Sequence, residues 1–440
     1  MPRERADLRP GRWRPTMTDE GGPVPAPLEL ERLSAAERRQ LFHALPKTDL
    51  HCHLDGSLRM ETVCELAADP EVRRLADRLG YALPEDTSPE AMKGVLTPGV
   101  DCASLEDYLR PFDIICGVLQ SRSTLARAAY ELAMDCAAEN VMYLEVRFAP
   151  QRHIHDGLSG IEVLQAVDDG LARAERETGG RILSGILVCA LRNYAPEIGF
   201  LHRKVREAFP YAEPRELGAY CSLDASRLAV EAKRQGIERI VGFDLAGAES
   251  GFPPHHHRQA FHHCIDNFLN ITVHAGEGYG PESIQEAVTY LNAQRIGHGT
   301  RILEGGLGLV RYLRDRRVTV EVCLTSNLQT RAISSLDAHP LRTFLSEEVR
   351  APLCTDNRLV SGVSLTDEYA LAWERFRLTP REIRKTVLYG FKAAFAPYAR
   401  RRQLLLAAKS RLRALGLGGE RSRAEEAAYE AWSNGDLVSA

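Results

Sequence analysis

Eight short apolar segments rich in β-forming residues recur along this chain, at 48–54, 141–148, 181–191, 239–245, 270–274, 295–298, 318–324 and 349–355. Between them lie helical patterns at 123–140, 225–235, 281–291, 306–316 and 341–347, each long enough to cross from one parallel strand to the next. Thr379, Pro380 and Glu382 combine an N-cap, a first-turn proline and a capping-box acid, which predicts a helix from 380 to about 395. Strands alternating with helices in this number predict an α/β fold, a (β/α)8 TIM barrel, with additional helices after the first strand and at the C-terminus. In such a barrel the chemistry sits at the C-terminal ends of the strands.

At 440 residues and 44% hydrophobic content the chain can bury one large core. Residues 1–27, rich in Arg and Pro without an apolar signal-peptide core, read as a disordered tail in which Met17 is an alternative start. Residues 28–440 read as a single barrel domain, with an inserted segment at about 193–236 and a helical extension at about 398–440. The 60–120 and 193–236 stretches break the rhythm and are placed to cover the site as lids. A net charge of −4, from 56 basic and 60 acidic residues, offers no footprint for nucleic acid or an anionic membrane, so a small molecule is the expected partner. No apolar run is long enough to cross a bilayer, and no protein partner is expected. The ten cysteines include no C-x-x-C pair, and Cys189 and Cys323 sit in apolar runs; reduced, buried thiols and a cytoplasmic location are expected.

The polar residues at the strand ends carry the chemistry. A strand's period of two places His51 and His53 on one face of the first segment, with Cys52 facing the other way into barrel packing. Alone, an H-x-H is also read as two hydrogen-bonded histidines on a half-exposed strand. Here the fifth segment ends in His274-Ala275-Gly276-Glu277, the sixth in Gly297-His298-Gly299 and the eighth in Thr355-Asp356-Asn357. Three imidazoles and a carboxylate, His51, His53, His274 and Asp356, suit zinc with a position left for water, whose pKa the metal lowers toward neutrality. Glu277 and His298 remain for proton transfer and for orienting groups around the metal. No lysine in the fourth segment is available as a carboxylated bridge, so one Zn2+ per chain is expected.

Through PKTDLHCHLDGSL, YLEVRFAP, GFDLAGAE, VHAGE, RIGHG and EVCLTSN, from about Pro46 to Phe395, the sequence resembles the adenosine deaminase family of the amidohydrolase superfamily. The resemblance implies hydrolytic deamination of adenosine and 2′-deoxyadenosine in purine salvage, without an organic cofactor. It implies His51, His53, His274 and Asp356 as zinc ligands and Glu277 as the acid that protonates purine N1. His298 and Asp356 then orient the water and receive its proton as it attacks C6. It further implies a substrate-binding set of His53, Asp55 at the ribose 5′-hydroxyl, the Gly247 N–H at purine N3, and Asn357 at N7. For Gly247 a turn glycine, and for Asp55 a turn cap, are the rival readings. The family's usual pair of adjacent aspartates is Asp356-Asn357 here, followed by Arg358 in place of proline, which opens substrate choice. Arg358 is read either as a surface ion pair or as a contact to an anionic substrate group.

Alternatives are a deaminase of adenine, N6-methylated AMP or an aminofutalosine-type nucleoside, and a non-catalytic binding barrel. His255-His256-His257 and His262-His263-Cys264 are expected to be a solvated loop and helix start, because adjacent residues cannot all face one ion. Glu145 and Arg147, on one face of the second segment, are expected to pair with each other.

Overall fold

The structure, a computed structural model, describes residues 29–97 and 110–418. The expected N-terminal tail, part of the first irregular stretch and the end of the C-terminal extension lie outside the described residues. Seven parallel strands pair in chain order: β1 (Lys47–His53), β2 (Val141–Phe148), β3 (Leu183–Leu191), β4 (Ile240–Ala246), β5 (Asn270–Ala275), β6 (Arg295–His298) and β7 (Thr319–Glu321). They form a nearly closed barrel ringed by helices, the (β/α)8 architecture. Strands buried on both faces read as continuous apolar runs, which is why the sequence locates them.

The eighth segment closes the ring without forming a regular strand. It bridges β7 through Thr319 with Arg350 and Val322 with Leu353, and β1 through Cys52 with Asp356. Pro352 accepts from Val322 N–H through its carbonyl but has no N–H to return, so the ladder is broken there. β7 is also shorter than the 318–324 segment. The chain turns into a helix, Leu324–Gln329, whose Leu324 and Thr325 N–H groups donate to the Glu368 carboxylate at 2.7 and 3.0 Å.

Helices Arg122–Ala138, Pro281–Tyr290, Gly306–Arg316, Leu341–Ser346 and Pro380–Ala393 fall on their patterns, the last started by the Thr379–Glu382 capping box. The expected 225–235 helix is the end of a longer one, Pro214–Arg234, which packs on β3 and serves as the β3–β4 crossover. Only the preceding part of the 193–236 stretch, with helix Phe200–Ala208, stands outside the barrel rhythm. After β1 come Met60–Ala68, Pro70–Leu79, Pro89–Leu96 and Pro111–Val118, and the extension begins with Tyr398–Ala414. All nine cysteines among the described residues are free and buried. Among the described residues no helix is long and apolar enough to cross a membrane.

The barrel interior below the strand ends is ionic rather than purely aliphatic. Arg147 donates to Asp244 Oδ2 at 2.9 Å, to Glu321 Oε2 at 2.8 Å and to the Leu50 carbonyl at 2.6 Å. Arg295 reaches Glu145 Oε2 at 2.5 Å and Glu321 Oε1 at 2.6 Å. Glu145 and Arg147 therefore do not pair with each other: partners on other strands are in reach once the barrel closes. All five side chains are 0–1% exposed, so each charge depends on its neighbours for the solvation it has lost.

Candidate metal centre and pocket

β1 delivers His51 and His53, β5 His274, and the irregular eighth segment Asp356. One ligand atom from each lies within 4.8 Å of the others. His53 Nε2 is 3.1 Å from His274 Nε2, and Asp356 Oδ1 is 3.3 Å from Nε2 of both His51 and His53.

The surrounding bonds fix what these atoms offer. His51 Nδ1 meets Glu321 Oε2 at 2.8 Å, and His274 Nδ1 meets Asp244 Oδ2 at 3.1 Å. Burial alone would raise Glu321, but Arg147 and Arg295 hold it well below the ordinary carboxylate range, so it accepts the His51 Nδ1 proton. The Nε2 atoms of His51 and His274 are left with their lone pairs turned inward. Burial pushes His51 down to about 4 and His53 well below the usual imidazole value. Burial likewise opposes ionisation of Asp356, yet the surrounding imidazoles of His51, His298 and His53 hold its carboxyl well below the ordinary range, as a carboxylate. Lone pairs and a carboxylate oxygen turned on one point, with each anchored ring nitrogen held from behind, form a donor set that fits a divalent cation.

The backbone is bent to make this arrangement. His298 and Asp356 sit at φ +66° and +62°, a left-handed region that costs side-chain-bearing residues energy and is found where a site requires it. Gly297, preceding His298, is needed for its small size: a Cβ there would lie 2.8 Å from His51 Cε1. Gly297→Ala is expected to tilt the ring and weaken metal binding by about tenfold or more while leaving the fold intact. Competition against a chelator measures the first, and the unfolding midpoint of metal-free protein the second.

Above the cluster a pocket is lined by His53, Asp55, Gly247, His274, Glu277, His298, Asp356 and Asn357, which brings the expected substrate-facing residues to one cavity. Phe112 and Ile198, from the two irregular stretches, help form its wall, together with Arg152. Gly247 has φ +94°, a conformation open to glycine. Glu277 Oε2 is 3.5 Å from His298 Nε2. Burial pushes the Glu277 carboxyl up, against His298 and with Asp356 adding to the rise.

Several residues to which the sequence reading assigned no role hold these groups. Glu249, the last residue of GFDLAGAE, accepts from the N–H groups of Gly276, Glu277, Gly278 and Tyr279 at 2.6–3.1 Å and so clamps the turn carrying Glu277. Ser326 donates to Asp356 Oδ2 at 2.5 Å. A relay of bonds sets the His298 tautomer: Leu341 N–H donates to His339 Nδ1 at 3.0 Å, His339 Nε2 to Asn327 Oδ1 at 3.3 Å, and Asn327 Nδ2 to His298 Nδ1 at 2.8 Å. The neutral His298 ring therefore carries its proton on Nε2, facing the pocket.

Arg358 belongs to neither reading offered from sequence. It is half-buried at 13% side-chain exposure, paired with Glu139, whose carboxylate also accepts from Thr366, and it does not line the pocket. The histidine run at 255–257 lies on a short 3-10 turn outside the metal cluster. It is not wholly solvated: His255 pairs with Glu286 at the surface, whereas His257 is 2% exposed and bonds Ser222 Oγ at 2.8 Å.

The family described as adenosine deaminase matches residues 46–409. The chain is 36% identical to an adenosine deaminase of Mycobacterium leprae, covering 85% of this chain and 94% of that one. It is also 36% identical to adenosine deaminase 1 of Streptomyces coelicolor, over 81% and 84%. A solved structure of the N6-methyl-AMP deaminase of Arabidopsis thaliana superposes with a TM-score of 0.67 at 28% identity, covering 84% of this chain and 98% of the other.

Proposed function

The chain belongs to the adenosine deaminase family, and we propose that it hydrolyses adenosine and 2′-deoxyadenosine to the inosine-type nucleoside and ammonia, in purine salvage. The observation that carries this reading is the convergence of three imidazoles and Asp356 on one point, with Glu277 and His298 beside it in the same pocket. His51, His53, His274 and Asp356 would hold a single zinc ion. When bound there, zinc supplies a water acidic enough to act as a nucleophile near neutral pH.

The chain's own groups do the rest. Asp55 takes the sugar 5′-hydroxyl, Gly247 N–H the ring nitrogen N3, and Asn357 donates to N7, an acceptor that a neutral amide serves without being protonated. Glu277, whose carboxyl burial pushes up toward the acid form, delivers its proton to N1 and makes C6 electrophilic. His298 and Asp356 divide their work according to the tautomer relay. Nε2–H of His298 donates a hydrogen bond that orients the attacking water, and Asp356 accepts the proton. Ammonia leaves C6 as the proton is passed on.

Arg152 in the pocket wall favours a second reading, in which the substrate is a nucleotide of the kind named for the Arabidopsis relative. Ammonia release from adenosine, AMP, N6-methyl-AMP and adenine, followed with one zinc-loaded preparation, decides between them. Fastest turnover of adenosine is expected. Turnover of a nucleotide with none of adenosine overturns the first reading and installs the second.

A further inference from the structure

A second convergence of ligand types lies beside the four-residue cluster, with Asp55 Oδ1 3.8 Å from His53 Nδ1. Asp55 comes from the turn after β1, His153 from the turn after β2, and Cys116 from helix Pro111–Val118, one helical turn past Phe112 of the pocket wall. A carboxylate oxygen, a sulfur and a ring nitrogen from these three lie within 4.8 Å of one another. Cys116 and His153 are 0% exposed and Asp55 6%.

Hydrogen bonding leaves one nitrogen of His153 and one oxygen of Asp55 bare. Gln120 Nε2 donates to the Cys116 carbonyl at 2.7 Å and the Arg152 carbonyl at 3.1 Å, which occupies both of its hydrogens. His153 Nδ1–H therefore donates to the Leu119 carbonyl at 3.0 Å, and the lone pair sits on Nε2. That Nε2 and Asp55 Oδ1 are both buried with no hydrogen-bond partner among the described residues. An imidazole anchored on a backbone carbonyl through one nitrogen, with the other bare, is oriented as metal-binding histidines are. The neighbouring Arg152 guanidinium donates to Asp113 Oδ1 at 2.6 Å and also acts on Asp55 and Cys116, so a divalent ion there competes with that cation for the carboxylate and the thiolate.

We propose that Asp55, Cys116 and His153 form a second metal site, adjoining the first but sharing no ligand with it, and selective for zinc-class ions. One oxygen, one nitrogen and one sulfur donor suit zinc or its spectroscopic stand-in cobalt, and do not suit calcium or magnesium, which take oxygen ligands. Tetrahedral zinc places its ligand atoms roughly 3.5 Å apart, so closure takes a movement of about 1 Å. Binding breaks the Cys116 S–H bond, forms a sulfur–metal bond and releases the proton to solvent. An ion there draws Asp55 away from the pocket, so excess zinc inhibits. This consequence rests on the proposed contact of Asp55 with the sugar, whereas the site itself does not.

Cobalt titration of the metal-depleted full chain tests the site. The first cluster contains no sulfur, so a near-ultraviolet sulfur-to-cobalt charge-transfer band reports only a site that includes a cysteine. The wild type is expected to show that band and to take up one more equivalent of cobalt than Cys116→Ser. The variant loses the band but keeps the visible bands of the first cluster, which also reports that it folds. His153→Gln weakens the second equivalent about tenfold or more. No band at saturating cobalt in the wild type, or a band that survives Cys116→Ser, overturns the proposal. If the variant loses the band yet excess zinc inhibits it as strongly as wild type, the site stands and the assignment of Asp55 to the sugar fails.

Discussion

Replacing Glu277 by Gln is expected to lower kcat with adenosine by about 10²- to 10⁴-fold, the range a positioned proton donor contributes, with metal content unchanged. The amide keeps the volume of the side chain, and the Glu249 clamp acts on backbone N–H groups that the substitution does not touch. What is lost is a transferable proton. Because burial raises the Glu277 pKa, the acid form persists to higher pH than an exposed glutamate allows, and wild-type kcat falls as pH rises through that value. The variant should lack this alkaline limb. A kcat within tenfold of wild type, or an unchanged limb, would remove Glu277 from the role of acid.

Glu321→Gln is expected to produce the largest loss of stability, about 3–5 kcal/mol, as when one partner of a buried ion pair is removed. Glu321 is fully buried and accepts from three groups, His51 Nδ1 and Arg147 at 2.8 Å through Oε2 and Thr272 Oγ1 at 2.9 Å through Oε1, and Arg295 Nε pairs with Oε1 at 2.6 Å. Glutamine retains one acceptor oxygen and turns an N–H pair toward donors. Urea unfolding of metal-free protein measures the loss, and chelator competition should show metal affinity lowered by about 10- to 100-fold through the freed His51 ring. The pH dependence has a definite sign. The folded-state pKa of Glu321 lies below its unfolded value, so its contribution is fully present above the ordinary carboxylate range of about 4.3. It is lost as pH falls below that toward the depressed native value. The variant should show a flatter acid limb than wild type. A destabilisation under about 1 kcal/mol would mean that Arg147 and Arg295 find other partners.

Periodicity and punctuation are local properties, and what depends on them was legible in the sequence. The parallel strands appear as apolar runs, the Pro380–Ala393 helix announces itself in Thr379, Pro380 and Glu382, and polar residues at strand ends mark the mouth. His51 and His53 share a face because a strand repeats every two residues, and His274, His298 and Asp356 stand out as polar groups ending apolar runs. Partner choice is not local. Arg147 bonds residues 97 and 174 positions away, and nothing beside it in the chain distinguishes them from Glu145, two residues off. Barrel closure decided those pairs, as it decided the His298 tautomer through Asn327 and His339, the pairing of Arg358 with Glu139 and the grouping of Asp55 with Cys116 and His153. The sequence by itself determined which segments are strands and which residues stand at their ends, since backbone periodicity acts over a few residues. Only the tertiary structure decided which buried charges and lone pairs meet, since that follows from the order and register in which the strands close on themselves.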